Sequence, residues 1–142
     1  MMPQVGKAPD SKRLLFVDDD RAIRETLAII LGRYGFTVTA AASVSEALDE
    51  IRKQQFDILL CDLNIGKAKD GYEVVSAMRA IDPDCVAVML TAFPDMESAI
   101  DGIRHGVDDY IIKPSTADEL IASLATSLDK RKARGARRPS FT

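Results

Sequence analysis

Four short, almost wholly apolar runs recur along the chain, and a fifth extended segment fits between the first two. The runs lack the polar alternation of a strand with one solvent-facing side. Continuous apolar strands of this length are typical of a parallel sheet that is buried on both faces. The five predicted strands are residues 14–17, 36–40, 58–61, 86–90 and 110–112.

The segments that follow the strands carry apolar residues three and four positions apart, which is the spacing of a helix with one apolar face. We therefore predict five helices, one after each strand. Their apolar positions are Ile23, Leu27, Ile30, Leu31 and Tyr34; Val44, Ala47, Leu48 and Ile51; Val74, Val75, Met78 and Ile81; Met96, Ala99, Ile100 and Ile103; and Leu120, Ile121, Leu124 and Leu128.

Residues at the helix ends agree with this assignment. Asp20 is expected to cap the first helix, and Gly35 and Gly106 stand where a left-handed residue commonly ends a helix. A Ser, Thr or Asp three residues before a Glu predicts a capping box. Such pairs are Ser43 with Glu46, Asp70 with Glu73, and Thr116 with Glu119.

Alternating strands and helices predict an α/β fold, a doubly wound five-stranded parallel sheet flanked by five helices. The pattern covers residues 13–130 of a 142-residue chain, a length that suits one domain. Residues 1–12, which are polar with Pro and Gly, are expected to be a flexible N-terminal arm. Residues 131–142 are expected to be a basic tail or linker.

The composition narrows the class of protein. No apolar stretch approaches the roughly 18 residues of a membrane span, and no signal peptide is recognisable, so we expect a cytoplasmic protein with no membrane contact. Cys61 and Cys85 lie in or beside apolar runs and are expected to be buried, reduced thiols. His105, the only histidine, is expected at the surface or a helix end rather than on a metal.

The charge is unevenly distributed. The net charge is -3, yet residues 130–142 carry six basic groups and no acidic one. A solvated helix end is the favoured interpretation, and contact with nucleic acid or an acidic surface is the alternative. Interleaved aromatic residues and a DNA-binding helix pair are lacking, so specific nucleic-acid binding is not expected. The basic groups are Lys130, Arg131, Lys132, Arg134, Arg137 and Arg138.

Polar residues of particular types follow the predicted strands. Asp18 and Asp19 follow the first strand, Asp62 the third, Thr91 the fourth and Lys113 the fifth. The carboxyl ends of parallel strands meet at one edge of a doubly wound sheet, where ligands bind. Clustered carboxylates repel one another unless a cation lies between them, and Mg²⁺ prefers such oxygen ligands. We therefore predict a magnesium site here.

The same residues permit phosphoryl chemistry. A carboxylate is able to attack phosphorus and form an aspartyl-phosphate, while a divalent metal neutralises the phosphoryl oxygens. The Lys113 ammonium would add a point charge, and the Thr91 hydroxyl would donate a hydrogen bond. Pro114 stiffens the turn that orients Lys113.

Four ordered motifs resemble those of response-regulator receiver domains of two-component signalling. They are residues 17–20 (Val-Asp-Asp-Asp), 57–62 (Asp-Ile-Leu-Leu-Cys-Asp), 90–92 (Leu-Thr-Ala) and 109–114 (Asp-Tyr-Ile-Ile-Lys-Pro). The resemblance covers about residues 13–130 and implies a flavodoxin-like sheet with strand order 2-1-3-4-5. It also implies a module that assists its own phosphorylation and dephosphorylation without turning over a separate substrate.

The resemblance implies a role for each site residue. Asp62 would accept a phosphoryl group from a histidine kinase or phosphotransfer protein. Mg²⁺ would be held by Asp19, Asp62 and the backbone carbonyl of Asn64, with Asp18 acting largely through water. Thr91 and Lys113 would contact the phosphoryl group.

The resemblance also implies how a signal would leave the site. Tyr110 would turn inward as Thr91 moves, and the Lys113–Pro114 bond would be cis. The surface formed by the fourth helix, fifth strand and fifth helix would then support a homodimer or recruit a target.

The chain departs from the receiver pattern after Asp62. Gly66 stands where receivers usually have proline, and the loop over residues 65–71 is one residue longer than usual. We therefore expect this loop to be more flexible. Phe93, a bulky residue two positions after Thr91, is expected to limit water access and slow hydrolysis.

One rival is a magnesium-dependent phosphatase of the haloacid-dehalogenase type, which also uses an aspartate nucleophile. The Asp18-Asp19-Asp20 sequence superficially matches that family's Asp-x-Asp opening, but Ala22 stands where it has Thr or Val. In that family Asp18 would carry the phosphoryl group, whereas in a receiver it would be Asp62.

Overall fold

A computed structural model describes residues 12–92, 95–113 and 116–137, with side chains of the last helix described to residue 132. Strands and helices alternate throughout. The strands are β1 (Arg13–Val17), β2 (Thr37–Ala41), β3 (Ile58–Asp62), β4 (Val86–Thr91) and β5 (Asp109–Ile112). The helices are α1 (Arg21–Arg33), α2 (Val44–Lys53), α3 (Gly71–Ile81), α4 (Met96–Arg104) and α5 (Ala117–Arg137).

The five strands are parallel and lie in the order β2-β1-β3-β4-β5. The predicted doubly wound α/β fold and its strand order are therefore confirmed. β3 and β4 are buried along their whole length, as the continuous apolar runs indicate, whereas the edge strands β2 and β5 are partly exposed. The first strand, β1, is buried after Arg13.

Successive strand residues point to opposite faces of the sheet and pack into two hydrophobic cores. On one face, Leu15, Leu59 and Met89 pack with apolar residues of α2 and α3. On the other face, Phe16 and Leu60 pack with apolar residues of α1 and α5. Because both faces are covered, only the strand ends and the helix surfaces remain for chemistry. Within the described ranges, no helix is both long and apolar enough to cross a membrane.

Most of the predicted helix signals are correct. The Asp20 carboxylate accepts a hydrogen bond from the N–H of Ile23, and Ser43 caps α2 in the same way. Thr116 and Glu119 form a reciprocal capping box at the start of α5. Gly35 and Gly106 have positive φ after α1 and α4, respectively.

The predicted capping box at Asp70 is wrong. Its carboxylate caps no N–H of α3 and instead accepts hydrogen bonds from the N–H groups of Ile65 and Lys67. Asp70 itself has helical φ and ψ, so its carboxylate turns back to the preceding loop. Asp70 is thus the N-cap residue of α3 as predicted, but its carboxylate closes the preceding loop instead of capping the helix.

A mostly buried ionic network joins helices α3 and α5 to the loops that precede β4 and β5. Asp108 accepts hydrogen bonds from Arg131 of α5 at 2.9 and 3.2 Å and from Arg79 of α3 at 3.1 Å. Arg79 also donates to the carbonyl of Gly106 after α4, and both arginines donate to the carbonyl of Pro83. Arg131, which belongs to the predicted basic tail, therefore anchors α5.

Helix α4 presents much of its apolar stripe to solvent. Met96 and Ile103 are each 77% exposed, and Ile100 is 41% exposed. The helix instead buries its small residues Ser98 and Gly102 against the domain. Its apolar periodicity correctly predicts a helix but not a buried face.

Candidate functional site

The predicted chemical residues meet at the carboxyl edge of the sheet. Asp18 follows β1, Asp62 ends β3, Thr91 ends β4, and Lys113 follows β5. β1 and β3 are neighbours although β2 lies between them in sequence, so the edge between them is the topological switch point. The switch point is where a doubly wound sheet leaves a crevice for a ligand.

Three carboxylates cluster there. Oxygen atoms of Asp18, Asp19 and Asp62 all lie within 4.8 Å of one another. Asp18 is 0% exposed, Asp62 is 9% exposed, and Asp19 faces solvent. The Asp18 carboxylate accepts a hydrogen bond from the N–H of Asp20 at 2.9 Å, which holds it in place at the start of α1.

The Lys113 ammonium bridges the two buried carboxylates. Its Nζ atom lies 3.1 Å from Asp18 Oδ2 and 3.2 Å from Asp62 Oδ2. Burial works to lower the pKa of Lys113, but the charges of Asp62 and Asp18 outweigh it, and the pKa is raised. The backbone of Lys113 is fixed beside β4, because its N–H donates a hydrogen bond to the carbonyl of Thr91 at 2.7 Å.

The surroundings of Asp62 disfavour the ionised form of its carboxyl group. Burial raises the pKa of the Asp62 carboxyl above its ordinary value, the Lys113 ammonium partly offsets this, and the Asp18 carboxylate raises it again. A further cation or hydrogen-bond donor at this edge would relieve the excess of negative charge.

The residues present fit a magnesium ion. Octahedral Mg²⁺ with metal–oxygen distances near 2.1 Å places opposite ligand oxygens about 4.2 Å apart. Adjacent ligand oxygens lie about 3 Å apart, so the Asp18, Asp19 and Asp62 oxygens, which lie within 4.8 Å of one another, would move closer together to share one ion. All are hard carboxylate oxygens, and no thiol or imidazole belongs to this cluster, as Mg²⁺ prefers.

Side chains within the loop after Asp62 accept hydrogen bonds from its backbone, and the greater flexibility expected for this loop stays a prediction. The Asn64 side chain accepts a hydrogen bond from the N–H of Lys69 at 2.7 Å, and Asp70 closes the loop as described above. Gly66 has a φ of 100°, which proline is unable to adopt because its ring holds φ near about -65°. A proline at position 66 would therefore require a different turn.

Gly71 is a site residue that our sequence reasoning missed. Its N–H donates to the carbonyl of Leu63 at 2.8 Å. A Cβ atom at this position would lie only 2.3 Å from the carbonyl oxygen of Asp62. Glycine is a poor helix former, and its presence at the first position of a predicted helix was the available signal for this close approach.

The two predicted switch residues are both placed by the structure. Thr91 is fully buried at the end of β4, and Tyr110 packs partly buried against the core. The Tyr110 hydroxyl is buried, and none of the described residues makes a hydrogen bond with it. Phe93 and Pro114 lie outside the described residues, so the hydrolysis role of Phe93 and the cis bond and turn role of Pro114 stay predictions.

The two cysteines and the histidine lie where the sequence predicts. Cys61 and Cys85 are buried, free thiols, as expected. His105 is the C-cap residue of α4, which confirms a helix-end position, and its ring also stacks on Tyr72. The stacking was not predicted.

The fold and this acidic edge with its bridging lysine define a class of protein, and comparison with known families agrees. A family profile described as the response regulator receiver domain matches residues 14–125. The chain therefore belongs to the receiver-domain family of two-component response regulators. This match does not support the phosphatase alternative.

Individual relatives place the chain among these proteins. It is 32% identical over 133 residues to the transcriptional regulatory protein ZraR of Escherichia coli, covering 94% of this chain but 30% of that protein. The chain thus spans about a third of the length of that relative.

Solved structures share the fold. A CheY-like receiver domain from Methanospirillum hungatei aligns with a TM-score of 0.82 and 29% identity, over 88% of this chain and 99% of that one. A response regulator from Burkholderia pseudomallei aligns with a TM-score of 0.76 and 27% identity, over 93% of this chain and 78% of that one. Its structure contains a phosphorylated aspartic acid and a calcium ion.

Proposed function

We propose that Asp62 is the phosphoacceptor of this receiver domain and that the surrounding residues activate it and stabilise the product. The observation that carries this assignment is the Lys113 ammonium, which lies 3.1 Å from Asp18 and 3.2 Å from Asp62. A lysine bonded to two buried carboxylates at a sheet edge has an obvious third partner in a phosphoryl oxygen.

Asp18, Asp19, Asp62 and the backbone carbonyl of Asn64 are the proposed Mg²⁺ ligands, with Asp18 acting largely through water. Support comes from the carboxylate cluster and from the calcium ion in the Burkholderia pseudomallei relative. When bound, the metal neutralises negative charge on the transferring phosphoryl group.

The chemistry assigned to this chain's residues is a phosphoryl transfer in line. An Asp62 oxygen forms a bond to phosphorus while the bond between phosphorus and the donor's leaving atom breaks, and the leaving group departs with the bonding electrons. Lys113 stays close to the phosphoryl oxygens and balances their charge. Thr91, at the end of the next strand, donates its hydroxyl to another oxygen. In hydrolysis, a water oxygen bonds to phosphorus as the bond between phosphorus and the Asp62 oxygen breaks; Asp62 leaves as the carboxylate, and the inorganic phosphate keeps the protons of the water.

The direct test is to incubate the protein with acetyl phosphate and Mg²⁺ and to map the modified residue by mass spectrometry. We expect label on Asp62 and none in Asp62→Asn. Asp49→Asn, which changes an exposed aspartate of α2, should label as the unchanged protein does. Asp19→Asn should label only at higher Mg²⁺ concentration. Label that persists in Asp62→Asn would refute the assignment, and label on Asp18 would revive the phosphatase interpretation.

Phosphorylation is proposed to act through Thr91 and Tyr110. The phosphoryl group adds about -1.5 to -2 charge, by analogy with other phosphorylated side chains, and draws Thr91 towards it. A shift of Thr91 changes the space beside Tyr110, and the surface of α4, β5 and α5 responds. This surface carries exposed apolar groups, which support a homodimer or a target contact there. They are Met96, Ile100, Ile103 and Ile112.

The proposed partner upstream is a histidine kinase or phosphotransfer protein, as is general for receiver domains. The domain assists its own phosphorylation and dephosphorylation without a separate substrate. We propose a cytoplasmic location, since the donors of two-component systems act there. The division into an arm over residues 1–12, a receiver domain over 13–130 and a basic tail over 131–142 belongs to the proposal. Specific nucleic-acid binding by this chain is not part of it.

A further inference from the structure

The loop between β3 and α3 is joined to α4 by an ion-pair network. The Lys69 Nζ atom lies 2.7 Å from Glu97 Oε1 and 3.4 Å from Asp101 Oδ2, and both acids belong to α4. The hydrogen bond to Glu97 raises the pKa of Lys69, so the ammonium is charged at neutral pH. The side chain of Lys69 therefore forms ion pairs with α4, the helix that carries part of the proposed output surface.

The backbone of the same lysine is tied to the proposed metal ligand. Its N–H donates to the Asn64 side chain at 2.7 Å, and Asn64 is the residue whose carbonyl is assigned to Mg²⁺. Lys69 has a φ of 62°, in the left-handed region that non-glycine residues seldom adopt. The Asn64 hydrogen bond holds the backbone there, and this conformation directs the side chain away from the loop.

A second contact reaches α4 from the first turn of α3. The Tyr72 hydroxyl donates to the backbone carbonyl of Ser98, and its ring stacks on His105 with centroids 4.4 Å apart and an interplanar angle of 8°. Gly102 lets the helix come close, because a Cβ there would lie 3.1 Å from the Tyr72 hydroxyl oxygen. Tyr72 therefore contacts α4 near its start, at Ser98, and at its C-cap, His105. Lys69 contacts the same helix at Glu97 and Asp101.

We propose that residues 64–72 form a connector that couples the occupancy of the Asp62 site to the position of α4, by a contact through Lys69 that is additional to the proposed route through Thr91 and Tyr110. Lys69 is its central positioning residue. A metal ion that draws on the Asn64 carbonyl moves the backbone at Lys69, and the ammonium carries that movement to Glu97 and Asp101. The inference rests on the proposed function at its metal end only.

The strength of the ion pairs limits the coupling between the Asp62 site and α4, and this coupling acts in both directions. A solvent-exposed ion pair changes such an equilibrium by a factor of about five at most. Coupling between two sites is reciprocal, so α4 must influence Mg²⁺ binding by the same factor as Mg²⁺ influences α4.

The chain offers a matched control for the test. Lys69→Met removes the ammonium and keeps the side-chain length, and Lys67→Met makes the same change in charge at an exposed position two residues earlier. Amide hydrogen exchange of α4 is measured for each, before and after addition of Mg²⁺ and acetyl phosphate. We expect α4 to exchange about two- to fivefold faster in resting Lys69→Met, and its response to the additions to shrink. Lys67→Met should match the unchanged protein in both states.

A mutant cycle separates contact from general electrostatics. Mg²⁺ affinity is measured by NMR titration for Lys69→Met, for Glu97→Gln with Asp101→Asn, and for the combined variant. A connector predicts that the combined variant changes affinity no further than either parent, since both parents break the same contact. Independent long-range charge effects predict that the changes in binding free energy add, and that result would overturn the inference.

The outcomes distinguish the inference from the function on which it rests. If the unchanged protein takes no label on Asp62, the proposed function fails. If it labels normally, and Lys69→Met exchanges and responds like Lys67→Met, the connector is refuted while the function stands. The resting-state exchange of α4 tests the Lys69 contact even without any phosphoryl donor.

Discussion

The α-carbon of Gly71 packs against the backbone of Asp62 so closely that a Cβ atom there would lie 2.3 Å from the Asp62 carbonyl oxygen. The same Cβ would lie 2.9 Å from the carbonyl oxygen of Leu63. Because both opposing atoms belong to the backbone of the strand end, neither is able to move aside alone. The start of α3 and the proposed phosphoacceptor are therefore one mechanical unit.

Gly71→Ala is expected to destabilise the fold and to reduce labelling of Asp62. Relief of the clash requires a backbone shift, which costs about 1–3 kcal/mol. Urea unfolding measures the loss. Gly32→Ala is the control, because a Cβ at Gly32 within α1 meets nothing within 4 Å. Alanine there should raise stability by about 0.5–1 kcal/mol through helix propensity. Equal effects at the two glycines would contradict the packing argument.

Asp62→Asn is expected to stabilise the folded protein at neutral pH in the absence of Mg²⁺. Burial, opposed by Lys113 and reinforced by Asp18, raises the pKa of Asp62 above its ordinary 3.8. The native state therefore binds this proton more readily than the unfolded chain does. Stability falls as the pH rises from 3.8 through the raised native pKa, and above that interval the native state carries a disfavoured charge that asparagine removes.

The stabilisation by Asp62→Asn should consequently disappear at a pH below 3.8, where the carboxyl is neutral in both states. Urea unfolding of both proteins over a pH series gives the difference directly. Asp49→Asn serves as the control, because it makes the same side-chain change at an exposed position of α2. A gain from Asp62→Asn that grows as the pH falls would have the wrong sign for this account.

Asp108→Asn is expected to lower the free energy of unfolding by about 2–3 kcal/mol, since it leaves Arg79 and Arg131 without their carboxylate in a mostly buried site. The backbone carbonyls that both arginines also contact limit the loss. Glu25→Gln breaks an ion pair with Arg21 whose side chains are 60% and 82% exposed, and it should cost under about 0.5 kcal/mol. Thermal or urea unfolding distinguishes the two; a small effect at Asp108 would show that the network is not a structural anchor.

Two tyrosines should respond differently to loss of the hydroxyl. Tyr72→Phe removes the hydrogen bond to the Ser98 carbonyl and should cost about 1 kcal/mol. Tyr110→Phe removes a buried hydroxyl that bonds to none of the described residues, so stability should stay the same or rise. Equilibrium unfolding of the two single variants is the measurement. A loss at Tyr110 equal to that at Tyr72 would show that its hydroxyl has a partner.

Much of the candidate site was predictable from strand ends. Asp18, Asp62, Thr91 and Lys113 each follow or end an apolar run, and a parallel sheet brings such positions to one edge whatever the details of packing. The capping prediction for Asp70 failed because one carboxylate near a helix start has two sets of N–H groups within reach. Only the path of the preceding loop decides between them.

The order of apolar and polar residues, by itself, determined the elements, the parallel sheet and the residue types gathered at its edge, because periodicity and strand ends are local properties. Tertiary structure alone decided which charged residues pair. Lys113 pairs with both Asp18 and Asp62, Arg131 pairs with Asp108, and Lys69 pairs with Glu97 of α4. These pairs join residues on different elements, and their geometry depends on how the helices pack on the sheet. A charged residue in the sequence has many possible partners, and only close packing in three dimensions selects one.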